Sequence, residues 1–182
     1  MNILSIDCAG KVLTLALSAK GKVFALDSGG EGSRKHNSLI LPFADELFSR
    51  AGISVRDLDA IACVVGPGSF TGIRIGVSTA HALARATGAK LIALNSLQVR
   101  AFDEKGVFAV ALQCRPTESY LARFDGDWLH MSECGAAQES EIAALEIKVV
   151  RHEGSLKAET MAAAAEYLAQ SGAFVPSLSP LY

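Results

Sequence analysis

Short runs of apolar residues, broken at close intervals by glycine or small polar clusters, set the pattern of the first half of the chain. Residues 2–8, 12–18 and 22–27 read as strands separated by turns at Ala9-Gly10-Lys11 and around Gly21, which predicts an antiparallel meander. A Gly/Ser-rich loop at 28–33 follows. Leu39, Phe43 and Leu47 then recur at four-residue spacing and predict a helix over 37–51. Pro42 is expected in that helix's first turn, since deeper in it proline deletes a backbone hydrogen bond. Residues 59–65 read as a strand, 69–87 as a helix and 90–94 as a strand, giving the order β-β-β-α-β-α-β.

The second half repeats this order with little sequence identity. Strands are expected at 107–113, 119–124 and 128–133, with an Asp125-Gly126-Asp127 turn before the third. A short helix at 138–145, a strand at 147–150 and an Ala-rich helix at 157–169 complete the echo. A duplication is the natural reading, with an N-terminal lobe over 1–97 and a smaller lobe over 98–182. The junction falls near 97–106, where a short helical segment runs into Asp103-Glu104-Lys105. Tandem β-β-β-α-β-α lobes are the α/β, ribonuclease H-like architecture of the actin-like, sugar-kinase-like and chaperone-ATPase (ASKHA) group.

Composition narrows the function classes. Half of the 182 residues are hydrophobic, enough for a sizeable core. Lys plus Arg total 17 against 19 Asp plus Glu, so no global positive field draws the chain to nucleic acid or membrane. Met1-Asn2-Ile3-Leu4 leads into a strand without a basic n-region, and no apolar run approaches the ~20 residues of a membrane span; a cytoplasmic protein is expected. Cys8, Cys63, Cys114 and Cys134 form no C-x-x-C pair and read as reduced core residues. His36, His81, His130 and His152 are too scattered to pair as metal ligands on one helix, and no metal site is expected.

The chemistry concentrates in Val64-Val65-Gly66-Pro67-Gly68-Ser69-Phe70-Thr71-Gly72-Ile73-Arg74-Ile75-Gly76, where a strand enters a glycine-rich turn and leaves as a helix. Gly66 and Gly68 permit backbone angles closed to other residues, and Ser69 or Thr71 can cap the helix. A helix N-terminus attracts anions, but no lysine follows the last glycine as a P-loop requires, and the spacing misses the dinucleotide fingerprint. After the turn, Gly72, Gly76, Ala80 and Ala84 form one smooth stripe, with Ile75, Thr79 and Leu83 beside it. Packing on the lobe's own sheet competes with an external helix–helix contact, which would use Ile40, Phe43 and Leu47 of the preceding helix as well.

The Gly66–Gly76 motif resembles the signature of the TsaB (YeaZ) family. Ile3-Leu4-Ser5-Ile6-Asp7 is similar to that family's opening strand, Arg115 to Tyr120 to a second strand-turn motif, and Pro180-Leu181-Tyr182 to its closing motif. The resemblance implies the ASKHA fold and a non-catalytic scaffold role in tRNA threonylcarbamoyladenosine formation. It further implies partnership with TsaD, a platform for TsaE, a homodimer when the chain is alone, and contact with tRNA only through the complex. The implied interface residues are Ile40, Phe43, Leu47, Gly72, Ile75, Gly76, Thr79, Ala80 and Leu83. No cofactor of its own is implied, while ATP or ADP could sit at the heterodimer junction.

Asp7, Gly66, Gly68, Ser69, Arg115 and Glu118 are the residues a nucleotide cleft would use in that architecture. Cys8 and Ala9 stand where the family usually has hydroxyls, and Gln113 where it usually has Asp. One carboxylate is a poor magnesium-phosphate site, which argues against ATP hydrolysis. For Asp7 a strand-end carboxylate held by turn amides is the competing reading, and for Arg115 and Glu118 a surface ion pair. The rival functions are an actin-like ATPase or kinase, a self-associating structural protein, and a glycoprotease-type peptidase. The last would need Ser69 beside a histidine base, outside any G-x-S-x-G elbow.

Overall fold

The computed structural model describes residues 1–29, 36–151 and 154–181. Positions 30–33 of the expected loop, His152 and Tyr182 lie outside the described residues. The chain divides into two units, Met1–Asn95 with Ser155–Tyr182, and Ser96–Gly154.

In the first unit, β1 (Ile3–Asp7), β2 (Thr14–Ala19) and β3 (Lys22–Asp27) form the expected antiparallel meander. Lys20 and Gly21, at φ 51° and 71°, make its tight second turn, the double positive φ that matches the twist of paired strands. α1 (His36–Ala51) then leads to β4 (Ala60–Gly66), α2 (Phe70–Thr87) and β5 (Lys90–Asn95). β4 pairs parallel to β1 and β5 parallel to β4, so the sheet order is β3-β2-β1-β4-β5. Every residue of β1, β2 and β4 is buried, which requires cover on both sheet faces. α1 and α2 touch one another and pack on the sheet together.

Pro42 lies in the second turn of α1, not the first, because the helix already runs from His36. It stands on the exposed side and leaves the buried face of Ile40, Ala44, Leu47, Phe48 and Ala51 unbroken.

The second unit holds α3 (Ser96–Arg100), β6 (Gly106–Arg115), β7 (Glu118–Gly126), β8 (Met131–Gln138), α4 (Glu139–Ala143) and β9 (Lys148–Arg151), with sheet order β8-β7-β6-β9. Facing residues Phe108 and Phe124 stack at 5.0 Å in its core. The third strand begins later than its sequence suggests. Asp127 Oδ1 accepts the Leu129 N–H at 2.9 Å and Asp125 N donates to His130 O, so the turn extends to His130 and Trp128 tilts onto Phe102.

The expected division into 1–97 and 98–182 fails at its second half. α5 (Ala158–Gln170) packs on β1, β2, β3 and β5 of the first sheet. Its Met161, Ala162, Ala164, Ala165 and Ala169 are buried, and such small side chains let a helix lie close to a flat sheet. With α1 and α2 together on one face, α5 supplies the cover that the other face needs. Residues 96–154 are thus inserted between β5 and α5, and the echo of the first half stops at β9.

Candidate functional site

The glycine turn closes on the chain's own backbone. A Cβ on Gly72 would lie 1.9 Å from the Cys8 carbonyl oxygen, one on Gly68 2.5 Å from that of Ala9, and one on Gly66 2.1 Å from that of Leu181. Gly66 also holds φ 121°, a conformation that side chains rarely adopt. Ser69 N donates to Ala9 O at 2.7 Å and Leu181 N donates to Val65 O at 2.7 Å. Ser69 caps α2 as expected, its Oγ accepting the Gly72 N–H at 3.2 Å. The close approach that these glycines permit is therefore used by three carbonyls. Carbonyl oxygens repel a phosphate, so Gly66, Gly68 and Ser69 form an internal clasp and not an anion cradle.

Asp7 is buried beside this clasp, and its Oδ1 accepts the Ala9 N–H at 2.7 Å, the turn-amide role. Burial, with the nearby Asp7 carboxylate, pushes the Cys8 thiol far above its ordinary range. Burial, then Cys8 and Asp7, does the same to Cys63. Both thiols stay protonated and inert. Cys114 and Cys134 depart from the expected core placement and are exposed, since both faces of the β8 edge and the end of β6 project beyond the packed part of their sheet.

In the second unit, Arg115 Nη1 meets Glu118 Oε2 at 2.8 Å with the arginine side chain 75% exposed. Glu118 also accepts from Gln138 Nε2 at 2.9 Å. This is a hairpin surface pair worth at most ~1 kcal/mol. Of the histidines that a peptidase would have to pair with Ser69, His81 Nε2 accepts the Leu178 N–H at 2.9 Å and His36 Nε2 contacts Lys11 O at 3.3 Å. Among the described residues no cluster of three or more His, Cys, Asp or Glu is arranged to hold a metal.

The expected interface residues separate into two groups. Ile40, Leu47, Gly72, Gly76 and Ala80 are buried within their own unit, and Gly76 faces Cys63 Sγ and Cys8. The small-residue stripe lets α2 sit close on β1 and β4, so the packing explanation accounts for it. Phe43, Ile75, Thr79 and Leu83 remain half-buried at the surface. Ile75 and Thr79 line a shallow groove of about 380 Å³ with Asn37, Phe70, Thr71, Arg74 and Ser78. Phe70 is 51% exposed with the Arg74 guanidinium 3.9 Å from its ring centre, and Leu41 is 52% exposed. Leu41 follows Asn37 by one helical turn and so extends the same side of α1. Phe70, Arg74, Asn37 and Leu41 were missed because four-residue periodicity marks the face that packs inward; single apolar residues outside that rhythm were the available signal.

No helix among the described residues is long and apolar enough to cross a membrane. YeaZ from Pseudomonas aeruginosa superposes with a TM-score of 0.81 at 22% identity, covering 100% of this chain and 99% of that one, which establishes the fold. The tRNA threonylcarbamoyladenosine biosynthesis protein TsaB of Escherichia coli K12 is 34% identical over 154 residues, 78% of this chain and 64% of that protein. The TsaB of Haemophilus influenzae is 31% identical over 69% of this chain and 49% of its own length, so the chain spans about half to two thirds of these relatives. The tRNA N6-adenosine threonylcarbamoyltransferase of Rhizobium meliloti is 41% identical over 73 residues, 40% of this chain and 20% of that one. Residues 30–177 match the family model described as TsaD: tRNA N6-adenosine threonylcarbamoyltransferase. On these matches the chain belongs to the TsaD family, among its members that resemble TsaB (YeaZ).

Proposed function

We propose that this chain is a non-catalytic subunit of tRNA threonylcarbamoyladenosine biosynthesis that binds a TsaD protein through the outer face of α1 and α2. One observation carries the reading: the glycine turn is occupied by the carbonyls of Cys8, Ala9 and Leu181, while Phe70 at the start of α2 and Leu41 of α1 are exposed. A catalytic chain of this architecture needs its turn open to phosphates. A subunit that works through contacts needs an apolar face instead. Phe43, Ile75, Thr79 and Leu83 supply the half-buried surround of such a face, and Phe70 and Leu41 its anchors. In this reading the chain carries no catalytic cofactor, a nucleotide such as ATP or ADP has a place at the junction with TsaD, and TsaE joins the assembled pair. Alone, the chain places the same face against a second copy, because paralogues that share a fold compete for related surfaces.

The test is association with TsaD, together with threonylcarbamoyladenosine formation in a mixture of TsaD, TsaE, the adenylate-forming enzyme and tRNA. The Leu41→Glu/Phe70→Glu variant should keep its thermal midpoint, lose TsaD affinity by about 30-fold or more, and fail to support product. Undiminished association of that variant would remove the interface, and product formed without the chain would remove the role. Gly76→Leu does not test the interface, because Gly76 lies inside the fold.

A further inference from the structure

A second concave surface of the first unit lies at the C-terminal end of α2, where the chain from Phe174 onward runs beside β5. Val175 N donates to Leu91 O at 2.9 Å, and Leu178, buried, donates its N–H to His81 Nε2 at 2.9 Å, so this segment is fixed at two points. Between it and α2 lies a groove of about 570 Å³ lined by His81, Arg85, Lys90, Phe174, Ser177 and their apolar neighbours. Its lining contains no Asp or Glu. Arg85 has no ion-pair partner among the described residues, and the Lys90 ammonium rests 4.4 Å from the centre of the Phe174 ring. His81 Nε2 is taken up by the Leu178 N–H and so is not counted among the groups that would hold a ligand.

We propose that this groove binds a phosphate group, held between the Arg85 guanidinium and the Lys90 ammonium with the Ser177 hydroxyl as a neutral donor. A forked guanidinium suits phosphate oxygens, and an ammonium held against an aromatic face is partly ordered before the ligand arrives. The C-terminal end of a helix ordinarily repels an anion. Here Leu83 O accepts the Thr87 hydroxyl at 2.8 Å and Ala84 O accepts the Gly88 N–H at 2.8 Å, which blunts that repulsion. The net charge of -2 adds no long-range attraction, so affinity rests on this pair of cations. The phosphate belongs either to a free nucleotide or to an RNA backbone. The proposal does not depend on the α1–α2 interface.

The test measures binding of ADP by calorimetry and of a short single-stranded RNA by fluorescence anisotropy, at low ionic strength. Wild-type protein should bind at least one of them, and which one identifies the source of the phosphate. Arg85→Gln/Lys90→Gln should weaken that binding at least tenfold. If the ligand is RNA, the slope of log affinity against log salt should become shallower by about 0.7 for each cation removed, or ~1.4 for the pair. Arg85→Gln alone leaves Lys90 on Phe174 and the segment in place, and should still weaken binding several-fold. Absence of binding by wild type, or equal binding by wild type and variants, would overturn the proposal.

Discussion

Among the described glycines Gly72 marks the tightest approach, with the Cys8 carbonyl oxygen where its side chain would begin. An alanine in mid-helix ordinarily gains ~1 kcal/mol over glycine. At Gly72 the clash outweighs that gain, and Gly72→Ala should destabilise the protein by about 2–3 kcal/mol in urea unfolding. At Gly76 the added carbon would lie 3.3 Å from a cysteine sulfur, which a small adjustment relieves, so Gly76→Ala should be near neutral. Equal effects at the two positions would mean that α2 is free to shift outward. The sequence displays both glycines in one stripe and cannot rank them, because their difference comes from the Cys8 carbonyl just past β1, more than sixty residues away in the chain. Asp7 was legible: a carboxylate two residues before an amide in a turn has a local partner, and it takes that partner.

At the scale of elements, the strands and helices were readable wherever a segment pairs or packs with sequence neighbours. β3 falls where expected, and α2 begins at its serine cap. β8 starts three residues late because side-chain hydrogen bonds within a turn decide its length, and those carry no periodicity. The same kind of local bonding anchors α4 in its sheet. Glu139 N donates to Thr117 O at 2.9 Å, and the Glu139 carboxylate takes Arg151 at 2.7 Å and the Ser119 hydroxyl. Arg151, then Ser119, holds the Glu139 carboxyl below its ordinary 4.5. A carboxyl depressed in the folded state stabilises above its unfolded value and loses that contribution as pH falls through the folded one. Wild type should therefore exceed Glu139→Gln in urea midpoint above pH 4.5 and converge with it at lower pH. A pH-independent difference would assign the effect to packing.

For the whole molecule, the architecture was legible from the β-β-β-α-β-α order, but the ownership of α5 was not. Its alanine-rich face fits any flat sheet, and the hydrophobic pattern does not say which one. The answer lies in β1 and β2, whose continuous burial calls for a second covering layer. The first unit consequently draws on both ends of the described chain, with residues 96–154 closed off between them. During synthesis the two units become complete in the reverse of their starting order. The inserted unit has all of its strands once residue 154 leaves the ribosome, whereas the unit begun first still lacks α5 and the Leu181 segment that seals the glycine turn. Nascent chains stalled with residues up to 154 outside the ribosome should protect the inserted unit from protease and leave 1–95 sensitive; protection of both at that length would show that α5 is dispensable. Until its last segment arrives, the first unit has a bare sheet face in the cell, and its exposure to chaperones and proteases is set by the time needed to translate the insert.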